Sequence, residues 1–327
     1  MRIRLDRRSL LKGWRRWRFY AGGFIRYYLP SGWIRAKFRR QLRHLSREER
    51  EYCMSRVNYY VNLPRDARLN DATAVAVADF KYPFGKKKKW SGYFFDLFEI
   101  VRAGDPAARF NYLFGDIDYT PPEPAFVKSR PIVDGPTLSV LTKLDSVRHF
   151  AFLHDSRRYR DKKDMLVFRN VVRNQPWRTR FLELYHNHPL VDAGQVNNDY
   201  IVDPAYVKPF ISIEGQLEYK FICCIEGHDV ATNLKWVMSS NSIAVMPRPR
   251  IESWFMEGTL IPDFHYIEVK ADYSDVEEKL QYYIDHPEEA EAIIRHAHEY
   301  CHQFRSRRRE LLIGRMVAQS YFRLTNH

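Results

Sequence analysis

From Glu218 to Pro247 the chain reads EYKFICCIEGHDVATNLKWVMSSNSIAVMP, continuous apolar runs separated by short polar breaks. Tyr219 to Ile225 is a run of β-formers closed by a Gly-containing turn, the pattern of a strand buried on both faces. Val230 to Ser239 has apolar residues at helical spacing, with Asp229 placed to cap its first free N–H groups. Ser240-Asn241-Ser242 breaks the helix, and Ile243 to Met246 is a second strand. Together they make one βαβ unit. In open α/β folds ligands bind at the carboxyl ends of such strands, where helix N-termini offer N–H groups to phosphate.

Similar patterns continue on both sides. Ser46 to Tyr60 is helical, with Ser46 and Glu49 at capping-box spacing. Thr73 to Asp79 and Phe110 to Phe114 read as strands, and Tyr93 to Val101 as an amphipathic helix. Met165 to Phe168 is a strand that opens a second domain. Phe181 to Tyr185 is helical, and Pro189 to Ala193 is extended. Beyond the central unit, Glu252 to Glu257 is a short helix or turn and His265 to Val269 a strand. Asp272 or Ser274 caps a helix ending near Asp285, and Pro287 opens the next at its N1 position. Ala290 to Phe304 and Arg305 to Phe322 are amphipathic helices. Strands and helices alternate, so the fold class is α/β.

Residues 1–50 follow another pattern, with Arg interleaved among Trp14, Trp17, Phe24, Tyr27, Tyr28, Trp33 and Phe38. Gly22-Gly23 and Pro30-Ser31-Gly32 divide this leader into short helices. It carries 16 Lys and Arg against 3 Asp and Glu, while the remaining residues hold 37 of each, so the net charge of +13 belongs to the leader. A nucleic-acid-binding domain would carry that charge on its folded body. Basic residues with Trp and Tyr suit an anionic membrane surface; the alternative is a basic helix pair packed on the body. Lys86 to Lys89 is a solvated run that could supplement such a surface.

At 327 residues the chain has room for two domains. We read 1–60 as a helical leader, 61–160 as a first domain and 161–327 as a second. No run reaches the ~18 apolar residues of a spanning helix, and Arg interrupts every candidate signal peptide. The expected location is cytoplasmic, peripheral on an inner membrane. Cys53, Cys223, Cys224 and Cys301 show no ligand spacing and read as free buried thiols. His298 and His302 stand at i,i+4 but lack a further ligand, so they read as a surface face before a metal site.

Gly115-Asp116-Ile117-Asp118 follows a strand, and an Asp-x-Asp there can hold a divalent metal against a donor diphosphate. Lys128 and Arg130 offer cations in one segment, and Lys143 and Arg148 flank Asp145 in another. These four could contact sugar or phosphate, with solvated surface charge as the alternative. Arg169 stands at a strand's carboxyl end, followed by Arg173, Arg178 and Arg180, and Arg suits bidentate contact with phosphate.

The central block resembles glycosyltransferase family 90, the family of protein O-glucosyl- and O-xylosyltransferases, fungal capsule-associated proteins and bacterial "lipopolysaccharide A" proteins. YKFICCIEGHDVATNLKWVMSSNSIAVMP and ESWFMEGTLIPDFHYIEVKADYSDVEEKLQYYIDH carry the match, supported by VFRN…R…R…HPLVDAG and by NYLFGDIDYTPPEPAFVKSRPI with KLDSVRHF. The resemblance is nearest to the bacterial branch, associated with surface polysaccharide. It implies a GT-B architecture: two Rossmann-like domains facing a cleft, acceptor on the first and UDP-sugar on the second. It also implies inversion at the anomeric carbon with an Asp base, which falls on Asp116, or on Asp118 after an alignment slip of two. Donor contacts would come from Arg169, Arg173, Arg178, Glu226, Gly227, His228, Asp229, Asn233 and Lys235. Core or capping roles are the alternative for Glu226 and Asp229. Asn170 stands where the family's F-R-G motif has Gly, and Asn233 where eukaryotic members have Arg.

The expected function is therefore transfer of a sugar from a UDP-sugar to a lipid-linked glycan such as lipopolysaccharide core. No cofactor is expected, UDP-sugar being a co-substrate. One rival is a GT-A enzyme using Mn²⁺ on Asp116 and Asp118. Another is a non-enzymatic peripheral protein that binds anionic lipid or nucleic acid.

Overall fold

A computed structural model describes residues 7–70, 72–84 and 90–326. The four-lysine run 86–89 lies outside these residues. The chain forms two compact units, 1–149 with 306–327, and 150–305.

The first unit begins with three helices, α1 (Arg7–Tyr27), α2 (Ser31–Arg43) and α3 (Arg47–Tyr60). Gly22 and Gly23 do not break α1, contrary to the sequence expectation. The missing side chain at Gly23 admits the ring of Phe95, which an added Cβ would meet at 3.0 Å. The break comes at Pro30, which lacks the N–H needed to continue a helix. Ser46 closes the expected capping box with Glu49 on α3.

Next come β1 (Val75–Ala76), α4 (Ser91–Val101), β2 (Arg109–Tyr112), β3 (Ala125–Val127), β4 (Ser129–Pro131), β5 (Ser139–Leu141) and α5 (Ser146–His149). The sheet runs β1-β2-β3-β5, with β2, β3 and β5 parallel and β1 antiparallel at the edge. Its core joins Phe110 and Phe126 to Tyr321 and Phe322.

The second unit carries β6 (Lys163–Asn170), α6 (Pro176–Tyr185), β7 (Val191–Gln195), α7 (Ile213–Gln216), β8 (Tyr219–Cys223), α8 (Leu234–Met238), β9 (Ile243–Met246), β10 (Ile251–Ser253) and β11 (Ile267–Glu268). Helices α9 (Val276–Asp285) and α10 (Pro287–His302) follow. Five strands form a parallel sheet in the order β11-β9-β8-β6-β7. Leu166, Phe168, Phe221, Cys223, Ile243, Val245 and Ile267 build one core with Phe181, Leu182, Val276, Leu280 and Ile293. The alternate residues Val167, Ile222 and Ala244 are buried too, as in a sheet covered on both faces.

The last helix, α11 (Arg307–Thr325), returns to the first unit, although the sequence boundaries attach it to the second. Tyr321 fixes it there, donating to Pro124 O and accepting from Asn111 N. Three local expectations are corrected. Helix α8 starts at Leu234, with Asn233 and not Asp229 at its N-cap position. Within Glu252 to Glu257, expected as a short helix or turn, Glu252 and Ser253 belong to strand β10 and Trp254-Phe255 form the turn. Helix α9 starts after Asp275, because Asp272 is engaged in accepting from Ser274 N and Oγ.

Candidate functional site

In the first unit, the carboxyl ends of β2, β3 and β5 bring Asp116, Lys128 and Asp145 together. Gly115 turns the chain after β2 at φ +127°, a conformation that penalises any side chain. Ser129 then clamps the turn, its Oγ accepting from Ile117 N and donating to Ile117 O. The result is an Asp116 carboxylate 40% exposed, with Lys128 Nζ buried beneath it at 2.5 Å. Asp118, two residues on, is exposed.

After β5, Asp145 takes up φ +51° and forms an ion pair with Arg148, whose Nε lies 3.1 Å from Oδ2. Burial holds its carboxyl above the usual range; Arg148 and Lys128 oppose that shift, and Asp116 adds to it. Burial likewise raises the Tyr93 phenol, which lies within reach of the Lys128, Asp145, Asp116 and Arg148 charges. Arg148 Nη2 donates to His149 Nε2 at 3.0 Å. Of the four expected acceptor-side cations, Lys128 and Arg148 gather here. Arg130 is turned away, donating to Tyr59 O, Tyr60 O and Ser139 O. Lys143 lies 3.5 Å from Glu310. The sequence shows Asp145 only as the neighbour of cations and Tyr93 only as part of a helix, because their place beside Asp116 depends on tertiary packing.

In the second unit, the parallel order is that of a doubly wound sheet whose direction of winding reverses between β6 and β8. Such a switch point opens a crevice at the carboxyl ends of the two strands. Arg178 of α6 spans it, with Nη1 donating to Val171 O, Nη2 to Ile225 O and Nε to Glu226 O. Gly227 passes against this guanidinium, where an added Cβ would stand 3.3 Å from Nη2.

Glu226 accepts from Arg250 N, Ile251 N and Arg250 Nε, tying the chain after β8 to the chain after β9. Burial raises its pKa against these donors. Trp177 Nε1 donates to Glu226 O, and the Arg250 guanidinium lies 5.0 Å from the Trp177 ring centroid. Gln175 Nε2 donates to His228 Nε2, and Asn233 Nδ2 to Cys223 O. Asp229 is buried.

Arg178, Glu226, Gly227 and His228 thus share one end of the sheet. Arg169 points toward β7, where Asp192 holds it at 2.7 Å beside Lys208 and Tyr219. Arg173 pairs with Asp199. Lys235 is fully buried, 2.5 Å from Glu257. In this unit the sequence pattern does not single out Trp177 or the exposed Arg250. The signal for Arg250 was the basic run Arg248-Pro249-Arg250 just beyond β9.

All four cysteines are free and buried. His298 Nε2 donates to Ser240 O, and His302 is exposed, so the i,i+4 pair does not converge. Among the described residues no helix is long and apolar enough to cross a membrane.

A family model described as glycosyl transferase family 90 matches residues 142–309. The chain is 39% identical over 314 residues to the O-glucosyltransferase LpsA of Dichelobacter nodosus, covering 95% of this chain and 96% of that protein. Shorter matches join it to two large viral proteins. One is the uncharacterized protein 179R of Invertebrate iridescent virus 6, 33% identical over 29% of this chain and 8% of the relative. The other is the uncharacterized protein 027R of Frog virus 3, 31% identical over 36% of this chain and 12% of the relative. The protein is an enzyme of the glycosyltransferase class. It belongs to glycosyltransferase family 90. That sets aside the reading as a non-enzymatic binding protein.

Proposed function

We propose that the enzyme moves a sugar from a UDP-sugar to a hydroxyl of a lipid-linked glycan, such as lipopolysaccharide core, with inversion at the anomeric carbon. In this reading the two units are the halves of a GT-B architecture facing a cleft, acceptor on the first and nucleotide sugar on the second. The Dichelobacter nodosus relative is an O-glucosyltransferase, which favours glucose as the sugar. The observation that carries the mechanism is the exposed Asp116 carboxylate seated on the buried Lys128 ammonium.

Asp116 takes the acceptor hydroxyl proton as that oxygen forms its bond to the anomeric carbon. The bond from that carbon to the diphosphate breaks, and UDP departs with the electron pair. Developing charge on the diphosphate needs fixed donors and cations. The exposed Arg250, held by Glu226 and Trp177, is the best presented cation near the switch point, with Arg178 shaping the backbone beneath it. Arg169, Arg173, His228, Asn233 and Lys235 are held within the second unit by the partners given above, and Asp229 is buried.

A second reading places Mn²⁺ on Asp116 and Asp118. The Lys128 ammonium on Asp116 argues against it, because it sets a fixed cation where the metal would bind. A panel of UDP-sugars, scored by UDP release with and without chelator, tests both. Release from one sugar that survives chelation is expected. Loss on chelation with recovery in Mn²⁺ would favour the metal site.

A further inference from the structure

Helix α1 buries one stripe of its surface and leaves the adjoining one bare. Tyr20, Phe24 and Tyr27 pack against Phe94, Phe95 and Phe98 of α4. Trp14, Trp17, Ile25 and Tyr28 fall on the next stripe, within about 80° of arc at 3.6 residues per turn. Each of these four is more than half exposed, as is Trp33 at the start of α2. Trp14 and Trp17 stack at 4.9 Å, and Lys37 Nζ lies 5.6 Å from the Trp33 ring centroid. Single exposed apolar side chains are ordinary, but a row of them that includes three Trp marks an interaction surface.

Charge identifies the partner. Arg16, Arg18, Lys37, Arg39, Arg40 and Arg43 are all exposed on the same two helices. The leader's strong positive charge opposes a second copy of itself and complements an anionic surface. Trp and Tyr have an apolar body and a polar edge, and settle where hydrocarbon meets headgroups. Arginines around them add attraction to anionic lipid.

The position of α1 links this surface to the first candidate site. Tyr20 OH lies 3.4 Å from Ser91 Oγ, and both Tyr20 OH and Asp145 Oδ1 border Gly92. Arg16 lies within Coulomb reach of Asp145. The exposed stripe and the Asp116–Asp145 edge are therefore joined through one helix.

We propose that α1 and α2 dock the enzyme on an anionic phospholipid bilayer through Trp14, Trp17, Ile25, Tyr28 and Trp33, and that docking presents the Asp116–Asp145 edge to acceptors carried in that bilayer. The docking stands on the exposed stripe alone; the acceptor clause rests on the transferase reading above.

The test uses the full chain with mixed phosphatidylethanolamine–phosphatidylglycerol vesicles, and with phosphatidylcholine vesicles for comparison. Co-sedimentation with the anionic vesicles and a blue shift of Trp emission are expected, with neither on phosphatidylcholine. Replacing Trp14, Trp17, Ile25, Tyr28 and Trp33 together by Ser should abolish binding. Should that variant fail to fold, Arg18→Gln, Arg39→Gln, Arg40→Gln and Arg43→Gln provide the second arm, each weakening binding by about fivefold. Hydrolysis of the UDP-sugar without acceptor should be the same in wild type and variants. Its absence in wild type would count against the donor reading while leaving the vesicle result standing. Failure to bind anionic vesicles, or equal binding by the Ser variant, would overturn the docking. So would a dimer dissolved by the Ser substitutions, or binding to single-stranded RNA, without binding to vesicles.

Discussion

Lys128 Nζ lies 2.5 Å from Asp116 Oδ1, and the two residues come from the ends of neighbouring parallel strands. The lysine is buried and the carboxylate half-open to solvent, so the cation fixes the acid from below and leaves its other face to a substrate. Lys128→Met should release Asp116 from this geometry. A misplacement of about 1 Å can cost about a hundredfold in rate. We expect kcat to fall on that scale with UDP affinity unchanged, read by steady-state kinetics beside UDP titration.

Gly227 and Arg178 meet at the switch point of the second sheet. Gly227→Ala would bring a Cβ within 3.3 Å of a guanidinium already held by three carbonyls. Overpacking of this kind costs about 1–3 kcal/mol. Urea denaturation should show the loss, and donor KM should rise because the strand ends around Glu226 shift.

Lys235 and Glu257 form a fully buried ion pair, and Glu257 also accepts from Ser253 N and Oγ. Lys235→Met should cost about 3–5 kcal/mol, since it strands a buried carboxylate. The paired change Lys235→Met with Glu257→Gln should recover part of it. Denaturation of the single and double variants checks the coupling.

Asp96 accepts from Ser146 N and Oγ at 2.8 Å, yet burial pushes its carboxyl up to about 7. The folded state therefore binds this proton more tightly than the unfolded chain, whose value is near 3.9. Between those values the folded form holds more protons, so Asp96 makes stability decline as pH rises toward 7 and level off above it. Asp96→Asn should remove that share of the slope, visible as a flatter difference in melting temperature across pH 4.5 to 8.

What the sequence revealed was mostly local. The Ser46–Glu49 box, Pro287 at the start of α10 and the β9 strand Ile243–Met246 each depend on a few consecutive residues. The helix after β8 was overread because Val230 and Ala231 continue its apolar spacing. Side-chain contacts hold the preceding backbone instead: Arg178 and Trp177 of α6 on Glu226 O, and Asn233 at the start of α8 on Cys223 O. The arginines were legible as a type but not by partner. Nothing near Arg169 in the sequence shows that Asp192 will hold it, whereas strand order makes that contact. Asp116 was visible from its place after a strand and from the family resemblance. Its cation, Lys128, could be tied to it only once β2 and β3 were known to be parallel neighbours.

The most direct measurement compares Asp116→Asn and Asp118→Asn with wild type, scoring both transfer and UDP binding. We expect Asp116→Asn to lower turnover by about 10²–10⁴-fold, with UDP affinity held, while Asp118→Asn stays near wild type. A normally folded Asp116→Asn enzyme at full turnover would contradict the assignment of Asp116 as the base.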